Sequence, residues 1–190
     1  VEDSEQWFNI FNPGNSNGSV FEINFSEKDF ESDQSGNSPS HIYPWGRSQV
    51  NSYQFSKAMC SRLYAEAQLE STRGIKATFN TMSGNLGTNA NWYFIWKFQG
   101  YGIGSDAQRD TKDANWILYR MADVLLMKAE ALIWKGGETN NAEAIDLIDK
   151  VRTRAKLTPL KGSVAVASIS QEEMLGYLLH ERDMELASEV

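Results

Sequence analysis

Four charged residues stand among leucines, methionines and alanines in the segment YRMADVLLMKAEAL, residues 119–132. They are Arg120, Asp123, Lys128 and Glu130, and they could either carry out acid–base chemistry or form ion pairs on a helix surface. A catalytic carboxylate needs a second titratable group at a defined distance and a shifted pKa. The pattern indicates neither. We therefore expect a solvated helix face, on which Arg120 and Asp123 pair about one turn apart.

Residue types that commonly bind metals are sparse in this chain. His41 and His180 are its only histidines, and Cys60 is its only cysteine. A cysteine-based zinc site and an intramolecular disulfide are thus excluded. The acidic segment EKDFESDQSG lacks the spacing of a calcium-binding loop. We predict no metal and no cofactor, and we expect Cys60 to be a small buried apolar side chain.

Composition and charge exclude further classes. The 190 residues are 41% hydrophobic, 23% charged and 12% aromatic, and they include six tryptophans. The net charge is −7, and without a basic face the chain is not expected to bind nucleic acid. No apolar run reaches the roughly 18 residues of a membrane-spanning helix. The first ten residues, VEDSEQWFNI, are acidic and do not resemble a signal peptide.

The pattern along the chain divides residues 1–190 into three segments of a single region. Residues 1–52 are strand and loop, residues 53–115 combine a helix with an aromatic loop segment, and residues 116–190 are helical. In the first segment Phe21, Ile23 and Phe25 alternate with polar residues. That alternation predicts a strand with one buried apolar face.

The last segment carries the firmest helical pattern. Apolar residues from Leu118 to Ile133 recur at three- and four-residue steps, and two glycines follow at 136–137. A second helix is expected from Asn140, as its N-cap, to about Ala155. The short connection makes the two helices antiparallel. Ser170 and Glu173 have capping-box spacing and introduce a third helix. Its predicted apolar face comprises Leu175, Leu178, Leu179 and Leu186, with Arg182 partly buried among them and in need of a carboxylate.

Three motifs in this segment carry a family resemblance. They are Tyr-Arg-x-Ala-Asp followed by Leu-x-Ala-Glu-Ala, then Val-Arg-x-Arg-Ala, then Glu-Arg-x-x-Glu-Leu. The matching residues are Tyr119, Arg120, Ala122, Asp123, Leu126, Ala129, Glu130, Ala131, Val151, Arg152, Arg154, Ala155, Glu181, Arg182, Glu185 and Leu186. In combination the motifs closely resemble the SusD/RagB family of starch-utilisation-type outer-membrane lipoproteins. Two further stretches, VFEINF and IWKF, are similar to strands of that family, so the resemblance spans essentially the whole chain.

The resemblance implies a mainly α fold of tetratricopeptide-like antiparallel helix pairs, with long loops and a few short strands. It implies a non-catalytic protein of the outer membrane and cell surface, lipid-anchored in its full-length form. Such a protein captures oligosaccharides for a SusC-like TonB-dependent transporter. The family's N-terminal half, its lipid-bearing cysteine and its Arg-Trp-x-Asp-Leu continuation have no counterpart here. We therefore interpret the chain as a C-terminal-half fragment.

Glycan recognition needs flat aromatic faces and hydrogen-bonding side chains on loops held by a rigid scaffold. The segment SHIYPWGRSQ fits this need best, with Tyr43 and Trp45 as stacking rings and His41 and Arg47 as hydrogen-bond donors. Tyr101, in a glycine-rich loop, is the fifth candidate. We expect Trp92, Phe94, Trp96, Trp116 and Trp134 to pack inside the protein instead.

Three other functions stay open at the level of sequence. One is peptide binding, which occurs in a branch of the same family. Another is a tetratricopeptide-type interaction scaffold, although repeats of about 34 residues are not visible. The third is a glycoside hydrolase, which would need two carboxyl groups about 5 to 9.5 Å apart in a cleft. The motifs favour the glycan-binding protein.

Overall fold

The structure, a computed structural model, describes residues 4–11, 17–25, 39, 53–66, 71–81, 93–109 and 113–189. Within these ranges the chain begins with a 3-10 helix, Ser4–Phe11. The α-helices are α1 Lys57–Glu66, α2 Met121–Lys135, α3 Glu138–Arg154 and α4 Gln171–Glu185. The strands are β1 Ser19–Ile23, β2 Phe79–Thr81, β3 Tyr93–Ile95 and β4 Trp116–Arg120. The fold is mainly helical with a few short strands, which confirms the predicted class.

Helices α2 and α3 form the predicted antiparallel pair. The chain reverses at Gly136 and Gly137, whose φ angles are 72° and 88°. A side chain would be strained at such angles, so glycine suits both positions. The Asn140 prediction was wrong. Helix α3 begins before Asn140, at Glu138, and the Asn140 side chain donates a hydrogen bond back to the Gly136 carbonyl.

The start of α2 also differs from the prediction. The helix begins at Met121, whereas the periodic pattern began at Leu118. Residues 116–120 are extended because they pair with β1 as strand β4. Backbone pairing with a distant strand thus overrides the local helical periodicity.

The capping box at the start of α4 is confirmed. The Ser170 hydroxyl accepts a hydrogen bond from the Glu173 N–H at 3.2 Å, and the Glu173 carboxylate accepts one from the Ser170 N–H at 3.0 Å. Helix α4 packs on α2 and, less extensively, on α3. Its buried apolar residues are Met174, Leu178 and Met184. Leu179, predicted to face the core, is exposed instead.

An aromatic core lies beside the helix pair. The 3-10 helix contributes Trp7 and Phe11, whose rings meet edge to face at 5.3 Å between centroids. Phe98 meets Phe11 in the same way at 5.0 Å. Trp96 and Phe94 are also buried, as predicted for that aromatic run.

Strand β1 does not bury the predicted apolar face. Phe21 is 56% exposed, and Ile23 is also exposed. The register with β4 shifts between Ser19 and Phe21 and again between Phe21 and Glu22, so strict alternation fails. Meanwhile the polar Glu22 accepts a hydrogen bond from the Asn115 amide at 2.9 Å.

Cys60 and Leu63 are the buried residues of α1, and they pack in an apolar cluster with Ile75, Phe79, Tyr93 and Met184. The expectation for Cys60 is therefore confirmed. Strand β2 covers only the three residues Phe79–Thr81. Lys76 takes a positive φ of 61°, which interrupts an extended backbone, and β2 begins only at Phe79.

Candidate functional site

The charges at the start of α2 do not lie on a solvated face. Arg120 and Asp123 are both buried, and each of them pairs with a residue of α4. Nη1 of Arg120 lies 2.8 Å from Oε1 of Glu185. Oδ1 of Asp123 lies 2.8 Å from Nη2 of Arg182, which supplies the carboxylate that Arg182 was expected to need. Both partners belong to α4, so a helical pattern within α2 could not reveal them.

Glu185 is the centre of a buried ionic network. Besides Arg120, its carboxylate meets Arg154 and lies 3.1 Å from Nη2 of Arg73. Burial by itself would raise the pKa of this carboxyl. The three positive charges outweigh burial and hold the pKa of Glu185 well below its usual range. Glu185 therefore stays ionised near neutral pH.

A second carboxylate, Glu181, joins the same network one turn earlier on α4. It contacts Arg73 and lies 3.0 Å from Nη1 of Arg152. Arg152 and Arg154 lie in the last turn of α3, and their guanidinium groups pair with Glu181 and Glu185 of α4.

The network ends at Glu189, beyond α4. Its carboxylate accepts hydrogen bonds from Nε of Arg120 at 2.6 Å and from Nζ of Lys97 at 2.7 Å. The Trp7 ring lies among these cations, with Arg154 at 5.0 Å, Lys97 at 5.6 Å and Arg120 at 5.7 Å from its centroid. Such distances suit cation–π attraction. The network thus joins the aromatic core to the helix pair.

This network is suited to holding helices together and not to proton transfer. A general acid needs a pKa near the working pH, whereas Glu185 is held far below it. The side chains of Glu181 and Glu185 are also almost completely enclosed. The motif residues of this network therefore have a structural role in this fold: Arg120, Arg152, Arg154, Glu181 and Glu185.

Tyr101, in contrast to the buried network residues, is highly exposed to solvent. Its side chain is 73% exposed. The loop that carries it is nevertheless anchored, because the Tyr101 N–H donates to the Ala107 carbonyl at 3.0 Å and the Gly104 N–H donates to the Lys76 carbonyl at 3.2 Å. The Tyr101 ring is thus exposed to solvent, while backbone hydrogen bonds fix the loop that carries it.

The base of this loop requires glycine. A Cβ atom on Gly100 would lie 2.5 Å from the Phe8 ring and equally close to the Trp96 indole nitrogen. Backbone and aromatic core therefore approach more closely than any side chain would permit. This contact fixes the start of the loop on the core.

Three polar side chains lie on the segments that anchor the loop. Asp106 accepts hydrogen bonds from Nζ of Lys76 at 2.6 Å and from the Asn80 amide at 3.0 Å. These two hydrogen bonds lower the pKa of Asp106. The Lys76 ammonium and the ionised Asp106 carboxylate are at least partly exposed, so both can contact a ligand, whereas Asn80 is completely buried.

The other four candidates, His41, Tyr43, Trp45 and Arg47, lie outside the described residues, as does Trp92. Trp116 is half-buried. Trp134 was expected to pack between helices, but it is 61% exposed at the end of α2. The helix ends one residue after Trp134, so its ring lies beyond the core.

A groove beside α4 was not foreseen from the sequence. It encloses about 500 Å³ and is open to solvent. Its described lining comes from α1, α3, the α3–α4 connection and α4: Glu66, Arg152, Leu160, Ile169, Glu173, Gly176, Tyr177 and His180. His180 contacts the Glu66 carboxylate across it. These segments are far apart in the sequence and come together only on folding. The one local signal of the groove was Gly176, a glycine inside the predicted third helix.

Among residues 4–11, 17–25, 39, 53–66, 71–81, 93–109 and 113–189, no group of three or more His, Cys, Asp or Glu side chains could hold a metal ion. Within the same ranges no helix is long and apolar enough to cross a membrane.

Comparison with known proteins identifies the family. Residues 18–190 match the sequence model of the SusD family. The chain belongs to the SusD family. The resemblance inferred from the three motifs is thereby confirmed, and the buried ionic network of β4, α3 and α4 is where those motifs meet in this member.

One curated relative is SusD-like protein P38 from Formosa agariphila. It is 40% identical over 81 residues, which cover 40% of this chain and 15% of that protein. A crystal structure of a SusD homologue from Bacteroides thetaiotaomicron is 23% identical with a TM-score of 0.70, covering 100% of this chain and 39% of that one. A laminarin-binding SusD-like protein is 20% identical with a TM-score of 0.59, covering 98% of this chain and 42% of that one.

These structural likenesses establish the fold. This chain spans less than half the length of either solved relative.

Proposed function

We propose that this chain is part of a non-catalytic cell-surface protein that binds oligosaccharides. The observation that carries the proposal is Tyr101, an exposed ring on a loop fixed at its base. Aromatic faces pack on the CH surfaces of sugars, and nearby polar groups hydrogen-bond the hydroxyls. Lys76 and Asp106, on the segments that anchor the Tyr101 loop, are the polar groups here, and the buried Asn80 donates a hydrogen bond that holds Asp106 in place. The likeness to a laminarin-binding SusD-like protein supports the same class of ligand.

We propose that the segment 41–49 contributes further ligand-binding side chains. Trp45 and Tyr43 would stack on further sugar rings, while His41 and Arg47 would donate to hydroxyl oxygens. This part of the proposal rests on residue types and their order in the sequence.

Binding without cleavage is the expected outcome for this surface. A glycosidase needs one carboxylic acid whose pKa is raised so that it can protonate the leaving group. Asp106 beside the proposed site has a lowered pKa, and so do the buried Glu185 and Glu189. These carboxyl groups are therefore poor acids near neutral pH.

We propose a wider role by analogy with the family. The full-length protein would be anchored by lipid at the outer membrane and would pass its ligand to a SusC-like TonB-dependent transporter. Co-purification of the full-length protein with such a transporter from detergent-solubilised membranes tests this step. A full-length protein that never co-purifies with a barrel would contradict it.

Affinity electrophoresis through gels containing different neutral polysaccharides, laminarin among them, tests the ligand class. We expect one polysaccharide to retard the chain, with no new reducing ends after prolonged incubation with it. Retardation by none of them, with the chain folded by circular dichroism, would contradict glycan binding and favour a peptide ligand. Release of reducing ends would identify an enzyme.

A further inference from the structure

We propose that the groove beside α4 is a second saccharide-binding site, which takes a neutral sugar unit of the glycan. This inference rests on the proposed glycan-binding function and adds a surface to it. Its volume of about 500 Å³ lies in the range of pockets that bind small ligands. A short stretch of oligosaccharide suits such an open groove.

Gly176 provides the first argument. It lies in the middle of α4, where glycine costs roughly 0.5–1 kcal/mol relative to alanine. A Cβ atom at this position would meet nothing within 4 Å. Neither close packing nor a positive φ therefore accounts for the glycine. Because Gly176 has no side chain, the helix backbone is accessible at the wall of the groove, and a ligand could approach it closely.

The lining beside Gly176 suits a sugar ring. Tyr177 follows it directly and is 39% exposed. Leu160 and Ile169 add half-buried aliphatic surface. An aromatic ring with aliphatic neighbours can cover the CH face of a sugar, while the hydroxyls point to polar groups at the rim.

The charged side chains of the lining already have partners in the folded chain. Glu66 contacts His180, and Arg152 pairs with Glu181. Glu173 belongs to the capping box of α4. Because these charges are already paired or hydrogen-bonded, the groove favours a neutral ligand rich in hydroxyl groups.

Two of these polar groups are held in place by the ionic network. Arg152 donates from Nη1 to Glu181 at 3.0 Å and from Nε to the Thr158 carbonyl at 2.9 Å. Within the described part of the chain, those two bonds leave its Nη2 group for another acceptor. Glu66 in turn lies 4.0 Å from Nη1 of Arg73. The groove therefore has a preorganised floor, which lowers the cost of ordering side chains on binding.

Proton NMR of the His180 imidazole tests the proposal directly. The chain has two histidines, so comparison with His180→Gln assigns the His180 signals. The probe is a neutral oligosaccharide cut from the polysaccharide that retards the chain. We expect its addition to shift the His180 signals saturably. Binding measured by calorimetry while the His180 signals stay unmoved would overturn the groove site and leave glycan binding intact.

Two groove variants provide a second readout by calorimetry. Gly176→Leu should fill the groove and Tyr177→Ala should remove its ring, each lowering affinity about tenfold or more. Leu179→Ala is the matched control, because Leu179 is exposed on α4 and does not line the groove. If Gly176→Leu does not fold, Tyr177→Ala decides alone. Unchanged affinity in the folded groove variants would overturn the site, and no oligosaccharide binding by the unaltered chain would overturn both proposals.

Discussion

Arg120 at the end of β4 and Glu185 at the end of α4 form a buried ion pair, with 2.8 Å between Nη1 and Oε1. Glu185 also meets Arg73 and Arg154, so one carboxylate joins the 71–81 segment, β4, α3 and α4. Arg120, Arg154 and Glu185 belong to the three motifs that mark the SusD family. Together these three residues join β4, α3 and α4 through buried ion pairs.

The first prediction concerns the strength of this network. Glu185→Gln should lower the free energy of unfolding by about 3–5 kcal/mol, because it leaves buried guanidinium groups without their counter-charge. Glu143→Gln is the matched control. Glu143 pairs with Lys128 at 2.8 Å on the exposed face of the helix pair, and its loss should cost at most about 1 kcal/mol. Urea denaturation measures both. Equal effects would contradict a central role for Glu185.

The pH dependence of stability follows from the lowered pKa of Glu185. In the folded chain the carboxylate stays ionised, whereas in the unfolded chain it takes up a proton below a pKa of about 4.3. The stabilisation it provides is therefore present above that pH and is lost as the pH falls. The advantage of the unaltered chain over Glu185→Gln should shrink by about 1.4 kcal/mol per pH unit below pH ~4. An advantage that is constant from pH 7 to 3 would refute this reasoning.

Cys60 should be inert in the folded chain. Burial raises the pKa of its thiol to about 12, and the thiolate is the reactive form. At pH 8 a disulfide reagent such as DTNB should react at least about a thousandfold more slowly with the folded chain than with the chain unfolded in guanidinium. Because Cys60 is the only cysteine, the absorbance change reports on it alone. Rapid reaction of the folded chain would disprove its burial.

The helix pair and the capping box could be predicted because local signals determine them. The turn between the helices depends on the adjacent Gly136 and Gly137, and the cap of α4 depends on Ser170 and Glu173, which are three residues apart. The ionic network could not be predicted in this way. Arg120 and Asp123 fall off the apolar stripe that the sequence predicts for residues 118–133, and their partners on α4 explain why they are buried.

The candidate sites differ in the same way, because one has a local sequence signal and the other depends on residues far apart in the chain. Tyr101 could be expected to be exposed because glycines surround it, and the structure confirms its exposure while its role stays a proposal. The groove was missed because its lining comes from segments far apart in the chain. Gly176 was the one local signal, since a glycine within a helical pattern calls for a reason.

Trp45 provides a test of the proposed loop site. Trp45→Ala should weaken binding of the retarding polysaccharide about tenfold or more if the ring stacks on sugar. Trp134→Ala is the control, because Trp134 is exposed at the end of α2 and belongs to no proposed site. Affinity electrophoresis compares the two variants. Equal retardation of Trp45→Ala and the unaltered chain would remove the 41–49 segment from the site.

The central claim is that this chain binds oligosaccharide through the Tyr101 surface, and isothermal titration calorimetry tests it most directly. The titration compares the unaltered chain, Tyr101→Ala and Tyr64→Ala. Tyr64 is 50% exposed on α1 and belongs to no proposed site. We predict that Tyr101→Ala lowers affinity about tenfold or more while Tyr64→Ala leaves it unchanged. Unchanged affinity in a folded Tyr101→Ala variant would contradict the claim.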